Sequence, residues 1–128
     1  MQPEIATALR RSRLIYLTTY SRSGRSGTVP VWFMVDQGNL YFTTGRSTVK
    51  ARRIRSNPRV TVHIGTREGP GFTGKAFWVE DPSPFLERLL RAYRRKYWYL
   101  WWLFGLRIRH GLQRGEEILI RIIPDEET

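Results

Sequence analysis

The sequence predicts a mainly β domain of the α+β class: an antiparallel barrel of six short strands, closed or half-closed, with flanking helices. Three observations predict it. Between Leu14 and Val79 the chain holds five runs rich in β-branched and aromatic residues, bounded by Gly-, Pro- and Asn-containing turns. The early turns are short enough for hairpins, which favours a sheet that rolls on itself. The 128 residues carry no linker, repeat or low-complexity segment, so 1–128 reads as one domain. A chain of this size buries roughly two-thirds of its unfolded surface, enough for one core.

Each element has a local cause. Pro3–Ser12 predicts a short helix with Ile5 and Leu9 on one face. "LIYLTT" (Leu14–Thr19) is a strand, and "SRSGRSG" (Ser21–Gly27) a flexible turn. "TVPVWFMV" (Thr28–Val35) reads as one second strand, in which Pro30 cannot donate a ladder hydrogen bond and so marks a strand edge, a bulge or a place where a ligand approaches. "DQGN" turns into the third strand, Leu40–Thr44. Ser47 or Thr48 can cap a helix over Val49–Arg55, which "NP" at Asn57–Pro58 stops. "RVTVHIG" (Arg59–Gly65) and "FTGKAFWV" (Phe72–Val79) are the fourth and fifth strands. "DPSP" starts a long helix at about 84–104, with Ser83 as N-cap and Pro84 at the first helical position. Leu86, Leu89, Leu90, Tyr93, Tyr97, Leu100, Trp101 and Phe104 follow at helical spacing, and Gly105 ends it. The sixth strand covers about 116–123 and centres on "ILIRII".

Composition narrows the function classes. There is no cysteine, so no disulfide, thiolate metal site or thiol nucleophile. No run approaches the ~20 apolar residues of a spanning helix, and the opening residues do not resemble a secretory signal. A cytoplasmic protein is the expectation. No HExxH, Walker loop, GxGxxG or serine elbow appears, and no metal site is expected. His63 lies in a strand, where a structural role is expected. No catalytic side chain stands out, so a reaction here must be carried by a bound cofactor.

The net charge of +11 speaks about partners. It concentrates in "NLYFTTGRSTVKARRIRSNPRV", where Arg46, Lys50, Arg52, Arg53, Arg55 and Arg59 crowd one connection and no acid occurs from Gln37 to Arg67. A helix N-terminus with Ser47, Thr48 and Lys50 offers donors to phosphate, though a capped, solvated helix explains the same residues equally well.

The order of motifs resembles the pyridoxamine-phosphate-oxidase-like split β-barrel superfamily, most closely its branch dependent on the deazaflavin coenzyme F420. The matching residues are Pro30–Val31–Trp32–Phe33, the Asp36–Gly38 turn, Thr44–Gly45, Thr48-x-Lys50, Asn57–Pro58–Arg59–Val60, the Gly74-x-Ala76 step, "RRKY" and "ILIRIIP", spread over Leu14–Pro124. The resemblance implies a six-stranded split barrel that forms a homodimer, with flavin-type cofactor clefts between subunits. Members bind FMN, F420 or, in some cases, haem. Carried over by motif, cofactor contacts fall on Val31, Trp32, Thr43, Thr44, Thr48 and Lys50. Ser47 joins them as a hydroxyl donor, and Arg53 and Arg55 on charge alone. The FMN-dependent branch places arginine and lysine in the second strand, and "TVPVWFMV" has neither. F420 is longer and more anionic than FMN, which suits a basic connection. The implied activity is hydride transfer between F420 and a small apolar or quinone-like substrate, with FMN binding as the alternative.

Two rivals use other features. The basic cluster could bind nucleic acid, but the strand aromatics alternate like core residues and form no base-stacking pattern. "KYWYLWWLFGLRIR" surrounds one helix with apolar side chains from Tyr97 to Phe104. Burial between barrel and dimer partner is favoured, with an apolar substrate pocket or peripheral contact with a membrane as alternatives. Trp98, Trp101 and Trp102 are not all expected inside one subunit's core.

Overall fold

The computed structural model describes residues 2–125, apart from the side chains of residues 101–104 and 106. Among these residues seven strands form one antiparallel sheet: β1 (Ile15–Tyr20), β2 (Ser26–Val31), β3 (Met34–Asp36), β4 (Asn39–Gly45), β5 (Arg59–Ile64), β6 (Gly71–Val79) and β7 (Glu117–Pro124). Their order is β2-β1-β5-β6-β7-β4-β3. β2 and β3 are therefore neighbours in sequence and opposite edges in space. Only Trp32 and Phe33 separate them, and a gap of three Cα steps spans at most ~11 Å. The sheet must roll until its edges approach, and no ladder joins them among the described residues. The barrel is split at Trp32–Phe33.

The expected six strands become seven because Thr28–Val35 is not one strand. Its backbone leaves the ladder where side chains of α3 (Ser83–Lys96) and of Tyr97, which follows it, replace strand partners. The Phe33 N–H donates to Tyr97 Oη at 3.2 Å, and Tyr93 Oη donates to the Trp32 carbonyl at 3.2 Å. Lys96 Nζ donates to the Phe33 carbonyl at 3.4 Å. β3 and β4 then form a hairpin in which Asp36 pairs with Asn39. Its two loop residues, Gln37 and Gly38, have φ of 52° and 82°, as a type I′ turn requires.

Inside the barrel, Leu17, Val31, Phe33, Leu40, Phe42, Val60, Val62, Ile64, Ala76, Ile120 and Ile122 share one buried cluster. Ile5 and Leu9 of α1 (Pro3–Arg11) join it, as does Ile54 of α2 (Val49–Ser56). On the outer face, Met34, Tyr41 and Leu119 meet Leu89, Tyr93 and Tyr97, together with Leu112 of α4 (Trp98–Arg114). β4 is thus buried on both faces, which its continuous apolar run Leu40–Phe42 permits.

The long C-terminal helix is also two elements. Tyr97, with φ −120° and ψ 36°, breaks it between α3 and α4. α4 packs back along α3, where Arg109 pairs with Glu87 at 3.3 Å. Gly105 lies buried within α4 rather than ending it, and Gly115 (φ 75°) is the terminator. Apolar periodicity carries across Tyr97 unbroken because both helices cover the same core. The N-cap of α3 is Pro82, not Ser83; Asp81 accepts hydrogen bonds from the Ser83 N–H at 3.0 Å and hydroxyl at 2.6 Å. Trp98 is 69% exposed and Tyr99 is also exposed. The side chains of Trp101, Trp102, Leu103 and Phe104 lie outside the described residues. No described helix is long and apolar enough to cross a membrane.

Candidate functional site

A cleft of about 380 Å³ opens beside the split. β2 supplies Pro30 and Val31, the seam Trp32, and β4 the residues Thr43, Thr44 and Gly45. The turn after β4 brings Thr48, and α2 brings Lys50. Tyr93 comes from α3, Arg107 and Ile108 from α4, and Glu117 from the first position of β7.

Local geometry positions the donors. Thr48 is the N-cap of α2: its hydroxyl oxygen accepts from Ala51 N–H at 3.3 Å and its proton goes to the Gly45 carbonyl at 2.9 Å. The Thr44 hydroxyl lies 3.1 Å from that of Thr48, so the two form one polar ledge. Trp32 stacks on Tyr97 with centroids 4.1 Å apart and planes 8° from parallel, and Tyr93 meets both rings edge-on. Tyr97 Oη also donates to the Arg13 carbonyl. Burial pushes both phenols well above the ordinary tyrosine range, so they act as hydrogen-bond donors, not as bases.

The charges in the cleft oppose one another. Burial lowers the Lys50 ammonium from its ordinary value, partly offset by Glu117. Burial raises the Glu117 carboxyl, offset in part by Arg107 and Lys50 and reinforced by Glu116. Glu117 Oε2 is a buried oxygen without a hydrogen-bond partner among the described residues. Its stem is held by α4: a Cβ on Gly111 would stand 2.2 Å from Glu117 Cγ, so only glycine lets the helix pass this close.

Of the residues expected from sequence, Val31, Trp32, Thr43, Thr44, Thr48 and Lys50 line this cleft. Ser47, Arg53 and Arg55 do not. Ser47 is exposed on the turn. The Arg53 guanidinium lies against Gly27 of β2, where a Cβ would come within 2.7 Å of it. Arg55 stacks over Trp78, 4.4 Å from the ring centroid, in a neighbouring cleft of about 580 Å³ that also holds Arg46. A helix turns about 100° per residue, so cations at 50, 52, 53 and 55 cannot face one ligand. The basic run is a fan of charge, of which Lys50 alone enters the first cleft.

Sequence reasoning missed Tyr93, Arg107, Ile108 and Glu117 as site residues, while Pro30, one of whose expected roles was to mark a ligand's approach, does line the cleft. Tyr93 was read as core, which it also is. Arg107 lay beyond the expected helix end. Glu117 enters because β7 pairs with β4, which places it opposite Gly45.

A family model described as pyridoxamine 5'-phosphate oxidase matches residues 1–125. No curated protein matches the chain. Among solved structures, HutZ, a heme storage protein from Vibrio cholerae, is 19% identical with a TM-score of 0.74, over 98% of this chain and 91% of its own. A FAD-binding protein from Mesorhizobium loti is 19% identical with a TM-score of 0.68, over 98% and 91%. A protein described as an F420 reductase is 19% identical with a TM-score of 0.61, over 94% and 92%. At these identities the likeness is one of fold.

Proposed function

The chain belongs to the pyridoxamine 5'-phosphate oxidase family, and from that premise we propose that the cleft at the split holds a flavin-type cofactor, coenzyme F420, for hydride transfer to a small apolar or quinone-like substrate. The observation that carries this reading is the composition of the one cleft. Thr43, Thr44 and Thr48 and the cations Lys50 and Arg107 line it together with the aromatic residues Trp32 and Tyr93. Such a set fits a ligand with a phosphate at one end and an aromatic ring at the other. The unpartnered Glu117 oxygen fits a ligand hydroxyl or N–H donor. A volume near 380 Å³ falls in the small-molecule range of roughly 300–1,000 Å³.

When bound, the deazaflavin supplies the hydride chemistry at its C5. The chain's residues would bind, orient and exclude water: Lys50 and Arg107 would hold phosphate beside the threonine ledge, and the tyrosines keep the Trp32 backbone and ring in place. Two observations favour F420 over FMN. β2 and the seam carry no arginine or lysine from Ser26 to Phe33. The neighbouring cleft meets the first at Glu117 and contains Arg46 and Arg55, where a longer anionic ligand would extend. FMN has no equivalent tail.

The dimer belongs to the same proposal. Phe77 and Ile123 stay 44% and 41% exposed on adjacent strands β6 and β7, an apolar patch that a second copy would cover. Phe77→Asp should shift the sedimentation coefficient toward monomer. Titration of the purified protein with F420 and FMN side by side tests the cofactor reading, with F420 expected to bind more tightly. Tighter FMN would replace F420 by the FMN alternative, and absence of binding by either would end the proposal.

A further inference from the structure

A second concavity, of about 650 Å³, lies on another side of α3 from the Tyr93 face. Its walls are α1, through Ala6, Leu9 and Arg10, and α3, through Ala92, Arg95 and Lys96. Its floor is Phe33, Met34 and Val35, the seam and the start of β3. None of these residues lines the cofactor cleft.

The groove joins two chemistries. Leu9, Phe33 and Met34 are buried apolar residues, and the small side chains of Ala6 and Ala92 and the exposed Val35 line the groove with them. Around this floor stand three cations and no acid. Neither ion pair among the described residues involves them: Arg88 pairs with Asp36, and Arg109 with Glu87. Lys96 is the unusual member. Its Nζ sits 3.2 Å from the Phe33 ring centroid and 3.4 Å from the Phe33 carbonyl oxygen, with no carboxylate beside it. Burial lowers its pKa to about 8, the mark of an ammonium that lacks a counter-ion. A partly desolvated cation beside an apolar trough is complementary to an anion that carries an apolar chain.

We infer that the groove between α1 and α3 binds a free amphiphilic carboxylate, its chain along Ala6, Met34, Val35 and Ala92 and its head between Lys96, Arg95 and Arg10. The site is separate from the cofactor cleft, so the inference stands or falls independently of the F420 reading. Phe33 lines the groove and Trp32 the cleft, so an occupant would sit one residue along the chain from the proposed cofactor site.

Decanoate is the probe, titrated calorimetrically into the full chain without added cofactor, below its micelle concentration. Saturable binding is expected, with amide shifts by NMR at Ala6, Phe33 and Ala92 and not at Thr48 or Lys50. Lys96→Met should weaken it at least about tenfold, the loss of one charge-assisted contact. Ala92→Phe, which places a ring in the trough, should abolish it. Arg95→Gln on the exposed rim should weaken it without disturbing the fold, and Arg22→Gln in the β1–β2 turn should leave it unchanged. Any of four results overturns the inference: no binding, equal affinity in the Lys96→Met and Arg22→Gln proteins, shifts confined to the Lys50 cleft, or binding seen only with micelles or vesicles. If a second copy fills the groove, Ala92→Phe will move the chain toward monomer and decanoate will not bind, which also overturns it.

Discussion

Replacing Lys50 with methionine keeps the aliphatic stem and removes the ammonium from the cleft. The structure sets the size of the effect. Lys50 is half-buried at the second position of α2, in the cleft that the Thr44–Thr48 ledge also lines. A hydrogen bond to a charged group contributes about 1.5–3 kcal/mol. Burial argues for the upper part of that range. The Glu117 carboxyl argues for the lower part, because it already neutralises some of the ammonium's field. A loss of about 1.5–2 kcal/mol follows, or about 10- to 30-fold in Kd. Arg53→Gln is the matched control: it removes the same charge from the same helix, but its guanidinium lies against Gly27. At physiological salt, screening over a Debye length of about 8 Å should hold its effect below about twofold. F420 fluorescence titration reads both variants, with circular dichroism to verify the fold. Lys50→Met within twofold of the wild type, alongside a tenfold loss in Arg53→Gln, would refute the reasoning. The charge would then act as a diffuse field, and the cleft would not be the phosphate site.

Arg55→Gln should weaken F420 more than FMN, with the difference shrinking as salt rises; equal loss for both cofactors would remove the tail from the neighbouring cleft. Glu117 has a raised pKa, so it ionises late, and each step upward in pH through that transition adds negative charge beside the proposed phosphate site. Anion affinity should fall across that window in the wild type and stay flat in Glu117→Gln, as titrations at several pH values will show. Lys96 is depressed to about 8 from an unfolded value of 10.5, so the folded state binds fewer protons between those values. Stability relative to Lys96→Met should therefore rise from about pH 8 to 10.5, and denaturant melts showing a fall would reverse the sign. Tyr97→Phe leaves the Phe33 N–H and the Arg13 carbonyl without their partner, and should cost about 1–3 kcal/mol in the same melts; a loss under about 0.5 kcal/mol would mean that Tyr97 does not hold the seam.

The strands were legible because their cause is local. β-Branched runs, short turns and the Asn57–Pro58 stop lie within a few residues of what they determine, and Leu17, Val60, Val62 and Ile64 of those runs are buried at alternate strand positions. The cleft was legible in part: Val31, Trp32, Thr43, Thr44, Thr48 and Lys50 occupy adjoining strand ends and one helix cap. What remained depended on distant partners. Thr28–Val35 breaks because Tyr93, Tyr97 and Lys96, more than 60 residues away, take hydrogen bonds that a strand would have made. Apolar spacing does not record whether a helix turns back on itself, so α3 and α4 read as one. Charge counted along the chain does not say where charge points, and the helical turn of α2 sends Arg53 and Arg55 away from Lys50. Glu117 enters the site only through the pairing of β7 with β4. The sequence by itself determined the elements, the apolar faces and the donors nearest one another in the chain. The tertiary structure decided the split, the direction of each cation and the acid opposite Lys50, because each of those rests on a contact between segments far apart in the chain.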